Sequence, residues 1–184
     1  MSIQSEDTSY RDITRYYNKD WNIEAYKIAR KQIKDDKYNS LGIEGHSIYF
    51  LYGETEDGKL EVYVGRSSET MNNTPVFTRL YQHKISTSER YREKWDNAIA
   101  IKFKDLGFDE MRNLENYFYH SLLDSVRLNN TEPDTKRYTY ESIKNKVEYI
   151  KEFVNFILKE DVFKKDKKQE AVKEVLDLGT EKKN

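Results

Sequence analysis

A β-hairpin signal in the middle of the chain constrains the fold more than any other feature. Two runs rich in Val, Ile and Tyr, residues 47–53 and 60–65, flank a segment that contains Asp57 and Gly58. Asp-Gly between two such runs favours a tight turn that joins antiparallel strands. With residues 54–58 as the loop, Tyr49 is expected directly opposite Tyr63.

The alternation of side chains predicts two different faces for this hairpin, because successive residues of a strand point in opposite directions. One face is expected to be apolar and to consist of Ile48, Phe50, Val62 and Val64. Tyr49 and Tyr63 point together from the other face. One face is therefore expected to build core, while the other presents two phenols.

The segments after the hairpin predict a helix and a third strand. A helix is expected over 76–85, directly after Pro75, and it places Arg79 and His83 on one helical face. Residues 95–103 then alternate, with Ile99, Ile101 and Phe103 on one side. The expected fold is of the α/β (α+β) class: a small central antiparallel sheet of about three strands, flanked by helices.

A second helix is predicted from the cap Asp109 to about residue 126. Its buried stripe is expected to consist of Met111, Leu114, Phe118, Leu122 and Val126. Glu115 falls inside this stripe. Because an unpaired buried charge is costly, Glu115 must be paired, protonated or bound to a cation. Arg112 or an arginine elsewhere in the chain would be the simplest partner.

The two ends of the chain are expected to add helical segments around this core. Residues 1–20 are interpreted as a loose arm, and Asp20 as the cap of a helix from Trp21 to about Lys34. A long helix to about Leu158 and a further turn near 172–178 follow from apolar residues at spacings of three and four. The chain thus divides into an N-terminal arm and helix (1–45), a core (46–132) and a C-terminal helical extension and tail (133–184).

Composition limits the classes of function. Charged residues make up 35% of the chain and the net charge is −1, so any phosphate-binding surface has to be local. Without cysteine there is neither a disulfide nor a thiolate metal site. No apolar run approaches the roughly 20 residues that cross a membrane, and the N-terminus does not resemble a secretion signal. A cytoplasmic protein without a membrane partner is expected.

An ordered set of residues resembles a known family. The set consists of the triplets Ser47-Ile48-Tyr49 and Tyr63-Val64-Gly65, then Arg79, His83 and Glu115, and an asparagine at 129 or 130. Over residues 47–130 this order is similar to the GIY-YIG nuclease superfamily. Ser47 stands where the family has glycine, and Val64 where it has its second isoleucine.

The resemblance implies a metal-dependent endonuclease whose catalytic residues would be Tyr49, Tyr63, Arg79, His83 and Glu115. It implies that Tyr49 acts as general base or orients the attacking water. It also implies that an asparagine after the glutamate helix braces the site; Asn130 matches best, and Asn129 stays open as an alternative. These residues are then expected to converge on one concave surface.

The chemistry of the same residues agrees with that activity. Glu115 supplies one hard oxygen ligand, which suits a single Mg²⁺, with Mn²⁺ as a substitute. Arg79 offers a fork of donors that matches two phosphate oxygens. Arg66 and Lys84 are candidate contacts to substrate phosphates. DNA is the expected partner, and RNA stays open.

Two other interpretations use the same residues without chemistry. Taken singly, two strand tyrosines among 15 are more often ordinary sheet residues, and Arg79 with His83 could be a solvated helix face. The chain could accordingly be a catalytically silent module that binds nucleic acid or protein on the same fold, which the near-neutral charge favours. It could also be a soluble interaction protein with coincidental motifs. The retention of the whole set favours the endonuclease.

Overall fold

The computed structural model describes residues 2–8, 10, 13–33, 46–67, 76–86, 95–104, 106–126 and 140–165. Within these ranges the protein is α+β: six strands form one antiparallel sheet, and three α-helices pack on it. None of these helices is long and apolar enough to pass through a membrane.

The sheet is assembled from both halves of the described chain. Its strands are β1 (Gln4–Asp7), β2 (Ile13–Tyr17), β3 (Ile23–Ala29), β4 (Ser47–Glu54), β5 (Leu60–Ser67) and β6 (Asn97–Phe103). The helices are α1 (Val76–Ile85), α2 (Phe108–Ser121) and α3 (Tyr140–Leu158), and a short 3₁₀ turn, Arg30–Gln32, follows β3. The strand order β1-β2-β3-β6-β4-β5 places β6 and β4 in the interior of the sheet.

The expectation of about three strands is wrong, because the segment before residue 34 supplies three more. In place of a loose arm there are β1 and β2, and in place of a helix from Trp21 to Lys34 there is β3, which pairs with β6. Ile23 and Ala25 are buried on one face of β3, and Tyr26 and Ile28 on the other. With both faces buried, β3 shows no polar alternation that would distinguish a strand from a helix.

The register of the central hairpin differs from the expected one by two residues. Glu54 pairs with Leu60, so the loop is 55–59, and Tyr49 lies opposite Gly65 while Tyr63 lies opposite Leu51. A slip of two residues preserves the direction of every side chain, because the strand period is two. Tyr49 and Tyr63 therefore still share one face.

Both faces of the hairpin are covered by helices. The expected apolar face, Ile48, Phe50, Val62 and Val64, packs into the core that contains residues of α2 and α3. The face that carries Tyr49 forms a second, smaller core with residues of α1, together with Trp95, Ala98 and Ala100. The tyrosine face is thus largely an interior surface, and not the open one that alternation alone suggests.

The predictions for the later elements are largely confirmed. The helix over 76–85, the third strand and the long helix ending at Leu158 are all present. The second helix begins after Gly107, with Asp109 in its first turn, and ends at Ser121 instead of 126. Its expected stripe is nonetheless buried, because the chain after Ser121 stays against the core. The predicted turn at 172–178 lies outside the described residues.

Candidate active site

The face of the sheet on which α1 packs carries three rows of residues across strands β2, β3, β6, β4 and β5. The apolar row is Ile13, Ile28, Ala98, Leu51 and Tyr63. The middle row is Arg15, Tyr26, Ala100, Tyr49 and Gly65. The polar row is Tyr17, Glu24, Lys102, Ser47 and Ser67. Tyr49 consequently lies between the apolar row and the polar row, and the nearest residues of the polar row, Ser47 and Ser67, are buried.

Tyr49 and His83 form a buried hydrogen bond between β4 and α1. The Tyr49 hydroxyl lies 2.7 Å from Nε2 of His83, and the two residues are only 1% and 4% exposed. Burial lowers the pKa of His83 to about 4, and the positive charge of Arg79 adds to this effect. His83 is therefore neutral at pH 7, so that one of its ring nitrogens can accept a hydrogen bond.

Gly65 leaves the space that the Tyr49 ring occupies. A Cβ atom at position 65 would lie 2.7 Å from Cε2 of Tyr49 and closer still to Cζ and the hydroxyl oxygen. Only glycine lets the ring approach the backbone of the neighbouring strand so closely. Beside them, Ser47 is buried, and its Oγ has no hydrogen-bond partner in the described part of the chain.

Tyr63 completes a cluster of three rings with Tyr49 and His83. Its ring centroid lies 6.5 Å from that of Tyr49, with nearly parallel planes, and 5.4 Å from that of His83. Tyr63 is half-buried, so it forms the more accessible side of this tyrosine–histidine cluster.

Arg79 and Lys84 lie on the same helix as His83 but play different parts. Arg79, one turn earlier, is exposed and donates to Oε1 of Gln82 at 3.2 Å. Because Arg79 and His83 are four residues apart in α1, they lie on the same face of the helix. Lys84 instead donates to the carbonyl oxygens of Lys31 and Ile33, at 3.2 and 2.8 Å.

Glu115 is paired with Arg66. Its Oε2 lies 2.7 Å from Nε of Arg66, and the two side chains are 20% and 33% exposed. An arginine from elsewhere in the chain, one of the partners expected from sequence, thus pairs with the carboxylate. Arg66 and Arg112 both lie against the ring of Phe108, with Cζ at 5.4 and 5.7 Å from its centroid.

The described site residues fall into two groups. One is the tyrosine–histidine cluster with Arg79, and the other is the ion pair of Arg66 and Glu115. The two groups adjoin consecutive residues of β5. Gly65 faces α1, and Arg66, one residue later, faces the opposite side of the sheet. Asn129 and Asn130 lie outside the described residues. Convergence of the whole set on one concave surface stays a prediction.

The expected Mg²⁺ site depends on Glu115. Across the residues that the structure describes, no group of three or more His, Cys, Asp or Glu side chains could hold an ion. Mg²⁺ keeps several of its waters and often takes only one or two carboxylates, so a partly exposed Glu115 fits its donor requirements. Arg66 would compete with such an ion for Oε2.

One cationic cavity was missed by sequence reasoning. Arg30 and Lys31 line it together with Lys84, Asp96 and Asn97, and its volume is about 610 Å³. Lys31 and Lys84 are 53 positions apart, so only the tertiary fold brings their charges together. The sequence contains no local signal for this site.

Comparisons with known proteins give no family for this chain. No protein-family model matches the sequence, and no curated protein or solved structure matches it either. Its function has to be inferred from its own residues and their geometry.

Proposed function

We propose that this protein is a metal-dependent endonuclease of the GIY-YIG type that hydrolyses phosphodiester bonds of DNA. The observation that carries the proposal is the packing of Tyr49 against Gly65 and its hydrogen bond to His83. This contact joins both tyrosine triplets and the helix with Arg79. If the motifs were coincidental, nothing would require these three segments to meet at the tyrosine hydroxyl.

In this proposal Tyr49 acts as the general base or orients the attacking water. His83 is neutral, and when Nε2 is unprotonated it accepts the hydrogen bond of the Tyr49 hydroxyl and so orients that oxygen. Because Tyr49 is buried, water has to reach its hydroxyl from the side of Tyr63 and Arg79, whose side chains are accessible.

Arg79 is proposed to bind the reacting phosphate. Its exposed guanidinium can donate two parallel hydrogen bonds to two phosphate oxygens. A fixed positive charge there favours a transition state with more charge on these oxygens than the ground state has. Arg79 would thus support both binding and cleavage.

Glu115 is proposed to hold the metal ion through its carboxylate. A bound Mg²⁺ would neutralise charge on the phosphate and on the leaving oxygen. Arg66 would then exchange Oε2 of Glu115 for a phosphate oxygen or for water, and it is partly exposed, as such an exchange requires. The two candidate roles of Arg66, as partner of Glu115 and as a phosphate contact, are compatible in this way.

The proposal is tested by incubating the protein with supercoiled plasmid in Mg²⁺, in Mn²⁺ and in EDTA. Nicked or linear plasmid is expected with either metal and not with the chelator. A second candidate, the silent binding module, is favoured by the Arg66–Glu115 ion pair, which accounts for the Glu115 charge without a metal. DNA binding without cleavage in both metals would support that module instead.

A further inference from the structure

A cationic cavity opens beside the C-terminal end of α1. It has a volume of about 610 Å³ and is lined by Ala29, Arg30, Lys31, Lys84, Asp96 and Asn97. Three cations and one carboxylate give this wall a net charge of +2, whereas the whole chain carries −1. The cavity is therefore a local site of positive potential, which a chain with a net charge of −1 needs in order to bind a polyanion.

The backbone fixes the wall of this cationic cavity. Lys84 donates to the carbonyl oxygens of Lys31 and Ile33, at 3.2 and 2.8 Å. The amide of Arg30 donates to the carbonyl of Asp96 at 2.8 Å, and the amide of Ile33 to the carbonyl of Arg30 at 3.1 Å. Because these hydrogen bonds already hold the wall in place, the binding of an anion orders few further protein groups, which reduces the entropic cost of binding.

Arg30 supplies an unused donor. Its guanidinium carbon lies 5.4 Å from the ring centroid of Trp95, which holds the side chain in place. Nε of Arg30 and Nε1 of Trp95 are both buried, and neither has a hydrogen-bond acceptor among the described residues. Both groups are donors only, and leaving a buried donor unpaired is costly. An acceptor beside Arg30 would satisfy such a donor, and next to two lysines an anionic acceptor fits best.

The cationic cavity lies a short distance from the tyrosine–histidine cluster. Lys84 directly follows His83 in α1, and Asn97 lies three residues before Ala100, which pairs with Tyr49. Three residues of strand span about 10 Å. Because each DNA strand rises about 3.4 Å per nucleotide, this distance corresponds to about three nucleotides.

We infer that this cationic cavity binds a backbone phosphate of the DNA substrate, a few nucleotides from the bond that is cut. The inference rests on the proposed function for its substrate. Arg30 suits two oxygens of one phosphate, and Lys31 and Lys84 act as point charges. Asp96 lowers the potential of the wall, which suits a phosphodiester with one negative charge better than a free phosphate dianion.

The test measures binding of a fluorescein-labelled DNA duplex by anisotropy at several salt concentrations, with EDTA present to prevent cleavage. Lys31→Glu is the main variant, and Arg30→Gln, which keeps most of the side-chain stem, is the second. Lys144→Glu is the matched control, since Lys144 is exposed on α3, across the sheet from the cationic cavity. Thermal unfolding of each variant verifies that it is folded.

Lys31→Glu is expected to weaken binding about tenfold and to reduce the slope of log K against log salt by about 1. Arg30→Gln should change both quantities in the same direction, and Lys144→Glu should leave both unchanged. Affinity and slope in Lys31→Glu equal to those of the control would overturn the inference. So would saturable binding of inorganic phosphate that Lys31→Glu abolishes while its DNA binding stays intact.

Failure of this inference is distinguishable from failure of the proposed function. If the wild type cuts plasmid and Lys31→Glu binds DNA like the control, only the cavity assignment is wrong. If the wild type binds DNA with the expected effect of Lys31→Glu but never cuts, phosphate binding by the cavity stands, whereas the endonuclease and the spacing from a cut bond are wrong. A wild type that neither binds nor cuts DNA contradicts both.

Discussion

The hydroxyl of Tyr49 lies 2.7 Å from Nε2 of His83, in the buried layer between α1 and the sheet. The two residues are 34 positions apart, so this hydrogen bond fixes the helix relative to the hairpin. It also gives the tyrosine hydroxyl a single orientation, which a group that positions water needs.

Tyr49→Phe is expected to destabilise the protein by about 1–2 kcal/mol, because it leaves the buried Nε2 of His83 without its partner. Plasmid cleavage should be lost, and DNA binding should be unchanged. Urea unfolding, cleavage and anisotropy measure the three effects. Tyr149→Phe is the control: the ring of Tyr149 stacks on Trp21 on the α3 side, and its loss of a hydroxyl should cost less than about 0.5 kcal/mol.

Gly65→Ala is expected to cost about 1–3 kcal/mol, because the new methyl group would overlap the Tyr49 ring. Cleavage should fall as well, since the ring has to move. Gly107→Ala is the matched control: a Cβ there has Oε1 of Glu110 as its nearest neighbour, at 3.7 Å, which is an ordinary contact. Equal shifts in melting temperature for the two variants would contradict the close packing of Tyr49 on position 65.

The lowered pKa of His83 predicts how the free energy of unfolding depends on pH. Its pKa is about 4 in the folded protein and near 6.5 when unfolded, so between these values the unfolded chain binds more protons. The contribution of the neutral His83 to the free energy of unfolding is therefore expected to be fully present above about pH 6.5 and to be lost as pH falls toward 4. A shift of this size corresponds to roughly 3 kcal/mol. Urea unfolding at a series of pH values measures it.

His83→Gln should flatten the pH dependence between pH 4 and 6.5, whereas His120→Gln, which removes an exposed histidine of α2, should leave it unchanged. The Arg15–Glu24 ion pair is present in the wild type and in His83→Gln alike, so it cancels in their comparison. Arg15 lowers the pKa of Glu24, so the contribution of this pair begins to be lost as pH falls through the usual carboxyl range. If wild type and His83→Gln lose stability in parallel over this interval, the burial of a neutral His83 is wrong.

Arg79→Ala is expected to lose cleavage and part of DNA binding together, because the exposed guanidinium is proposed to contact the reacting phosphate. Arg79→Lys should recover binding better than cleavage, since an ammonium group keeps the charge but loses the two-pronged geometry. Full cleavage by Arg79→Lys would show that only charge is needed at this position. Full cleavage by Arg79→Ala would remove it from the site.

The elements with strong local periodicity were predictable from sequence. Residues 76–85, the alternating third strand and the helix ending at Leu158 each carry a pattern that repeats within the segment. Even the wrong hairpin register kept Tyr49 and Tyr63 on one face, because a shift of two residues does not change side-chain direction.

The parts of the fold and of the site that were not predicted depend on which distant segments pair. Local sequence patterns do not contain that information. β3 is buried on both faces. The spacings of three and four between Tyr26, Ala29 and Ile33 are typical of a helix, but Tyr26 and Ala29 belong to a strand and Ile33 follows the 3₁₀ turn. The burial of Tyr49 requires α1 to cover its face. The pairing of Glu115 with Arg66 depends on how α2 meets β5.

The most direct measurement of the central claim compares plasmid cleavage in Mg²⁺ by the wild type and Glu115→Gln. Glu110→Gln is the control, since Glu110 lies on the same helix in an ion pair with Lys146 at 2.7 Å. The wild type and Glu110→Gln should cut. Glu115→Gln should not cut but should still bind DNA, because the removed charge opposes phosphate. Cleavage by Glu115→Gln at the wild-type rate would contradict the proposed metal site and the endonuclease mechanism built on it.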